Sequence, residues 1–231
     1  MSWWDYFHTV GTRYYYLDRS VVSLPNNLPM PPTNDLSHLF STCHRLRDIT
    51  ALSSWDTSKV TDMESMFFSC LHLQDISALA NWDVSNVKTM KYLFGECVSL
   101  QDISALANWD VSNIKNMSQM FGCCHQLKDI TALANWNVSN VKDMTWMFCN
   151  CVRLQDITAL ANWDVSNVRS MCCMFSTCSR LQDITALANW NIANVEDMSQ
   201  MFYDCRQLQD ITALANWNLS NVENTYCMFG D

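Results

Sequence analysis

The chain is short of the residues that usually turn a polypeptide: glycine and proline number only four each among 231 residues. Its turns therefore fall to Asn, Asp and Ser, whose short polar side chains bond the backbone beside them. Positive charge is also scarce, with 14 Lys and Arg against 23 Asp and Glu, for a net charge of −9. That balance excludes nucleic acid as the main ligand, because phosphate binding takes a surplus of cations. No apolar run approaches the roughly 20 residues that cross a bilayer, so membrane insertion is not expected. The opening run Met1-Ser2-Trp3-Trp4-Asp5-Tyr6-Phe7-His8 lacks the basic segment, apolar stretch and small-residue cleavage site of an export signal. As the chain stands, the expectation is a cytoplasmic location. A disordered acidic tail is excluded by an apolar content of 49%.

What the sequence has in abundance is repetition. Trp55, Trp82, Trp109, Trp136, Trp163, Trp190 and Trp217 follow one another at intervals of 27 residues. With each Trp as position 0, position 12 is always Phe, from Phe67 to Phe229, and position 11 is Met in every repeat but the one with Leu93. Position 8 is Met except at Thr225, and positions 15, 18, 21 and 24 hold Cys, Leu, Ile and Leu wherever the chain reaches them. A period between about 20 and 50 residues marks a solenoid, in which each unit buries its apolar face against its neighbours. Leu36, Leu39, Phe40, Cys43, Leu46, Ile49 and Leu52 fit a preceding coil. The predicted solenoid therefore spans residues 33–231: one partial leading coil and seven repeats, the last incomplete. Residues 1–32, with Trp3, Trp4, Tyr14, Tyr15, Tyr16 and the Pro25 to Pro32 stretch, lack the pattern and read as an N-terminal cap.

Within a repeat, apolar positions 8, 11, 12 and 15 follow the i, i+3, i+4, i+7 spacing of one helix face. Position 7 holds Asp62, Thr89, Asn116, Asp143, Ser170, Asp197 and Asn224, all residue types that cap helix N-termini. The spacing predicts a short helix over positions 8 to 17. The rest of the unit, with apolar residues every two or three positions, predicts one or two short extended segments. Stacked about 4.8 Å apart, these would form a narrow parallel sheet. The expected fold is an α/β repeat solenoid.

The run Asn81-Trp82-Asp83-Val84-Ser85-Asn86-Val87, followed by Met90, Leu93, Phe94, Cys97, Leu100 and Ile103, resembles the unit of the BspA-like leucine-rich-repeat surface proteins. The likeness extends over about residues 36 to 231. It implies a leucine-rich-repeat-like, right-handed solenoid, a bacterial cell surface or secreted location, and a role in adhesion or protein binding. The sequence departs from that family in showing no export signal, anchor or second domain.

Rows of like residues follow from stacking. The thiols Cys43, Cys70, Cys97, Cys124, Cys151, Cys178 and Cys205 fall beside Phe on the apolar face and read as buried structural residues. Off the row lie Cys123, Cys149, Cys172, Cys173 and Cys227, of which Cys149, Cys173 and Cys227 are expected to be exposed. No metal or cofactor is expected, since His partners at ligand spacing are missing. Asp48, Asp75, Asp102, Asp129, Asp156, Asp183 and Asp210, at position 20, are expected to accept backbone N–H groups, with calcium or a basic partner as the alternative reading. Asp and Asn interchange at position 1 (Asp56, Asp83, Asp110, Asn137, Asp164, Asn191, Asn218), so that row needs an acceptor rather than a charge. Asn86 to Asn221, at position 4, are expected to bond the neighbouring coil. The scattered His8, His38, His44, His72 and His125 meet no nucleophile and carboxylate, so no catalytic residue is assigned.

Where the copies differ, partner choice is expected to lie. On the predicted helix, positions 6, 10 and 13 face away from the core. Lys88, Lys115, Lys142 and Arg169 make a basic stripe there, and Phe68, Tyr92, Trp146 and Tyr203 are large aromatics where solvent is expected. These eight residues are the candidate protein-binding surface. The function expected is a non-enzymatic protein-binding or adhesion-type repeat module. The alternative is an architectural protein that self-associates through an uncapped C-terminal coil.

Overall fold

In the computed structural model, residues 5–16 and 18–230 are described. The coils stack one upon another. Parallel bridges join position 7 of each coil to position 7 of the next, from Asp35 with Asp62 through Asp197 with Asn224. The rings of Phe40, Phe67, Phe94, Phe121, Phe148, Phe175, Phe202 and Phe229 form one continuous stack, with centroids 5.6 to 5.9 Å apart. Around this column the Met, Leu, Ile, Val and Cys rows are almost entirely buried. The 27-residue period and its apolar positions thus build a repeat solenoid with a single core.

The helix expected over positions 8 to 17 is absent, and this part of the α/β expectation is corrected. Tandem four-residue turns occupy the segment. Met66 N–H bonds Met63 C=O at 3.2 Å, Phe68 N–H bonds Ser65 C=O at 3.1 Å, and Cys70 N–H bonds Phe67 C=O at 3.1 Å. Ser65 and Ser69 have φ of 57° and 60°, and the same two positions are left-handed in coil after coil. A residue with φ > 0 third in a four-residue turn is the mark of a type II turn. Such turns return positions 8, 11, 12 and 15 to one side, as a helix would, so the apolar spacing fits both. The difference lies in where the amides go. A helix keeps its N–H groups within itself, whereas here every second one leaves for the next coil. Met117, Gln119, Phe121 and Cys123 donate to Asp143, Thr145, Met147 and Cys149 at 2.7 to 3.0 Å.

The expected parallel sheet is corrected for the same reason. The backbone rungs between repeats sit at positions 6 to 14, in the stretch read as helix, and the stretch read as strand makes none. Side chains tie the coils together there. Trp82, Trp109, Trp136, Trp163, Trp190 and Trp217 each donate an indole N–H at 3.0 Å to the position-24 Leu carbonyl of the coil before. The Asn row does the same from Nδ2 to position 3, as with Asn113 to Ser85 at 2.8 Å. The helical element that each repeat does contain is a single 3₁₀ turn near its end, among them Ser77–Leu79, Ser104–Leu106 and Thr131–Leu133.

At the N-terminal end a hairpin covers the first coil. Strands β1 (Phe7–Val10) and β2 (Arg13–Tyr16) pair antiparallel around Gly11, whose φ of 63° suits the tight turn. Tyr16 N–H donates to Leu39 C=O at 2.8 Å, a carbonyl that in later coils would accept from the coil before, and its ring packs 5.5 Å from Phe40. Leu24 N–H bonds Asp48 C=O at 3.0 Å, extending the cover. Trp3 and Trp4, read as part of the cap, lie outside the described residues. In the last coil Ile211, Leu219, Tyr226 and Phe229 are 44%, 51%, 69% and 47% exposed.

Candidate partner-binding face

Positions 6, 9, 10, 13 and 14 vary between the copies, and the turn ladder fixes how those differences are displayed. At position 6 each residue donates its N–H to the carbonyl of its predecessor: Lys115 to Lys88 at 2.9 Å, Lys142 to Lys115 at 2.8 Å, Arg169 to Lys142 at 2.9 Å. The four cations therefore stand in one exposed column, in register. Glu196 and Glu223 continue it with the opposite sign. Arg169 pairs with Glu196; among the described residues Lys88, Lys115 and Lys142 have no ion-pair partner.

The aromatics are displayed unequally. Trp146 is 44% exposed and Tyr203 38% exposed, whereas Phe68 and Tyr92 are half-buried against each other, edge to face at 5.8 Å. Phe68 reaches over Gly95, where an added Cβ would stand 3.2 Å from its ring, so the glycine makes the room. Lys91, which the spacing argument passed over, lies 5.2 Å from the Tyr92 ring centroid, a cation–π distance. Trp146 and Tyr203 stand in separate coils and join no ring pair among the described residues.

The thiols expected to be exposed need correction. Cys173 is buried, and Cys149 and Cys227 are half-buried. The Trp146 backbone N–H donates to Cys172 C=O at 2.9 Å, and the Cys173 thiol donates to Gln200 Oε1 at 3.3 Å and lies 3.5 Å from Cys172 Sγ. Burial pushes the Cys173 thiol up to about 12, with the neighbouring Cys172 adding to it, and pushes Cys149 to about 11. Trp146 is therefore an exposed ring whose backbone is pinned into the ladder on both sides, to Cys172 C=O and from Cys149 N–H. Among the described residues no group of three His, Cys, Asp or Glu side chains could hold a metal ion.

The structural rows fall where turn chemistry puts them. Position 20 carboxylates accept the N–H two residues on, as with Asp129 and Thr131 at 2.8 Å, and that bond holds Asp129 below the usual carboxylate range. The position 1 row does likewise, Asp and Asn alike: Ser112 to Asp110 at 3.0 Å, Ser139 to Asn137 at 3.2 Å. The row thiols donate to the Phe carbonyl one coil back, Cys124 to Phe94 at 3.3 Å. One feature escaped the sequence reading. A shallow trough runs along positions 19 to 23, with volumes of 510 and 570 Å³ at its centre, and Lys128, Arg153 and Arg180 reach its walls. Its signal in the sequence is the Ser/Thr row at position 22, Thr50 to Thr212, beside the Asp row at position 20.

This stacking of coils, with a uniform interior and a variable outer ladder, defines the chain as a repeat solenoid with a display face. A family model described as "Mycoplasma protein of unknown function, DUF285" matches residues 34–153 and 123–231, and the chain belongs to that family. No curated protein matches it. Among solved structures, a leucine rich cell surface protein from Faecalibacterium prausnitzii is similar at 13% identity and a TM-score of 0.26, with 91% of this chain and 88% of that chain covered. A likeness that faint carries no weight for fold or function.

Proposed function

We propose that the chain is a non-enzymatic protein-binding repeat module, of the adhesin-like kind that the BspA-like resemblance implies, and that it grips its partner on the variable face of the turn ladder. The observation that carries this reading is Trp146, a large aromatic held in solvent on a backbone bonded into the turn ladder. Ordered, exposed Trp and Tyr with basic neighbours are the usual anchors of protein interfaces. Near-identical coils also argue against an enzyme, which needs one singular constellation of acid, base and nucleophile. The hairpin over the first coil serves as the N-terminal cap of the module. Affinity capture from cell extract tests the reading, comparing the wild type with the Trp146→Ala, Tyr92→Ala double variant. A partner retained by the wild type and lost by the variant, at unchanged circular dichroism, is the expected result. Identical partners on both would refute it.

A second reading rests on a different observation, the exposure of Ile211, Leu219, Tyr226 and Phe229 on the last coil. Exposed apolar side chains of this kind favour association. On this reading the chain is architectural and self-associates through that coil. Sedimentation over a wide concentration range decides it: a rising mass that Leu219→Asp abolishes supports it, and a strict monomer excludes it.

A further inference from the structure

The column at position 6 carries more information than its positive charge. From Lys88 to Glu223 it reads four cations followed by two anions, each stacked on the one before through backbone N–H to carbonyl bonds of 2.8 to 2.9 Å. Like charges directly opposite across a backbone ladder destabilise it. Among the described residues the three lysines make no ion pair. Asp143, the acid next to them, has its carboxylate engaged by Thr145 N–H at 2.9 Å and Asn116 Nδ2 at 3.1 Å, and the flanking Asn113 and Asn140 are neutral amides. A chain of net charge −9 thus keeps a polarised column on its outer surface, with three lysines that make no ion pair ahead of the Arg169–Glu196 pair.

We propose that this column is the recognition site for an extended acidic peptide segment of the partner, one with a carboxylate at every second residue and basic residues after them. The proposal rests on the protein-binding reading above. Coils stacked about 4.8 Å apart place Lys88 and Arg169 about 14 Å from each other. An extended strand rises about 3.4 Å per residue with alternate side chains on one face, so acids at its first, third and fifth residues also span about 14 Å. Three carboxylates therefore meet the three lysines and Arg169 over matched lengths, the last acid exchanging with Glu196 for the exposed Arg169 guanidinium. Beyond Arg169 the sign reverses: Glu196 and Glu223 repel a fourth acid and accept a lysine or arginine. The reversal selects a charge order, which an unpatterned polyanion does not satisfy. Exposed pairs of this kind contribute more to specificity and association rate than to affinity, and they weaken with salt.

The test is fluorescence anisotropy on the full chain with a labelled nine-residue peptide carrying Glu at residues one, three and five, Lys at seven and nine, and Thr between. A peptide of the same composition with Glu and Lys interleaved is the control, and inorganic polyphosphate the unpatterned anion. The expected result is binding of the ordered peptide about tenfold or more tighter than the control. The Lys115→Glu, Lys142→Glu variant loses it, and Glu196→Lys transfers preference to an all-Glu peptide, with melting curves unchanged. Equal binding of the two peptides, or polyphosphate bound as tightly as the ordered peptide, overturns the proposal. If no peptide binds while Trp146-dependent capture persists, the acidic partner is wrong and the protein-binding reading stands; if both fail, both fall.

Discussion

Trp109 donates its indole N–H to the carbonyl of Leu79, thirty residues earlier in the preceding coil, at 3.0 Å. Both groups lie in the core, so neither can turn to water instead. Replacing Trp109 by Phe keeps a ring in place but strands the Leu79 carbonyl. An unsatisfied buried acceptor costs about 1–3 kcal/mol. The urea midpoint of Trp109→Phe is expected to fall accordingly, and an unchanged midpoint would show that the indole bond contributes nothing.

Backbone strain offers a second test. Non-glycine residues with φ from 49° to 63° recur at positions 10 and 14. Thr177, at 61°, is β-branched and so among the worst suited to that region. Asn tolerates it, and Asn150 occupies the equivalent place one coil earlier at 59°. Thr177→Asn is expected to raise the melting temperature by about 2–4 °C, for strain relief of about 1 kcal/mol. Glu96→Val, which introduces a β-branched residue at 60°, is expected to lower it. Melting curves check both.

Stability should fall at both ends of the pH scale. Burial raises the row thiols, Cys97 and Cys205 to about 12, above their unfolded value. The native state then holds protons that the unfolded chain releases, so this contribution is full below about pH 8.5 and is lost as pH rises toward 12. Backbone bonds hold Asp48, Asp129, Asp183 and Asp210 below the usual carboxylate range. Their contribution is present above about pH 4 and lost as pH falls through the lowered values. Asp62 is raised by burial and has the opposite sign. Thermal melts from pH 3 to 11 are expected to trace a plateau with two falling arms, and a melting temperature flat to pH 11 would contradict the buried thiol row.

Thiol accessibility separates the two cysteine classes. Cys70, Cys97, Cys124, Cys151 and Cys178 have no exposed surface, and Cys172 and Cys227 are half-buried. Alkylation of the native protein at pH 8, read by mass spectrometry, should label Cys172 and Cys227 first and leave the row untouched until denaturant is added. Early labelling of Cys124 would contradict the stacked core.

The repeat, the apolar positions, the thiol row and both Asx rows were legible in the sequence because each depends on local chemistry repeated at a fixed period. The helix was not. Positions 8, 11, 12 and 15 meet on one side in an α-helix and in tandem turns alike, and nothing local to Met63-Glu64-Ser65-Met66 says that Ser65 takes φ of 57°. The N–H of Ser65 instead bonds Lys91 C=O at 2.8 Å, a contact that exists only once a neighbouring coil is in place. The same blindness affected the face. The shared repeat position placed Lys88, Lys115, Lys142 and Arg169 in a stripe on an expected helix, and the ladder instead joins them backbone to backbone in register. Cys173 was read as exposed because it sits on the outer face of the expected helix, whereas it is buried and its thiol bonds Gln200 Oε1 of the next coil.

The central claim is that the variable outer ladder grips a protein partner while the uniform rows hold the fold. The most direct measurement is the binding isotherm of the captured partner to the wild type and to Trp146→Ala, with the melting temperature of each. The account predicts affinity weakened about tenfold or more at an unchanged melting temperature. Equal affinity for the two proteins would contradict it.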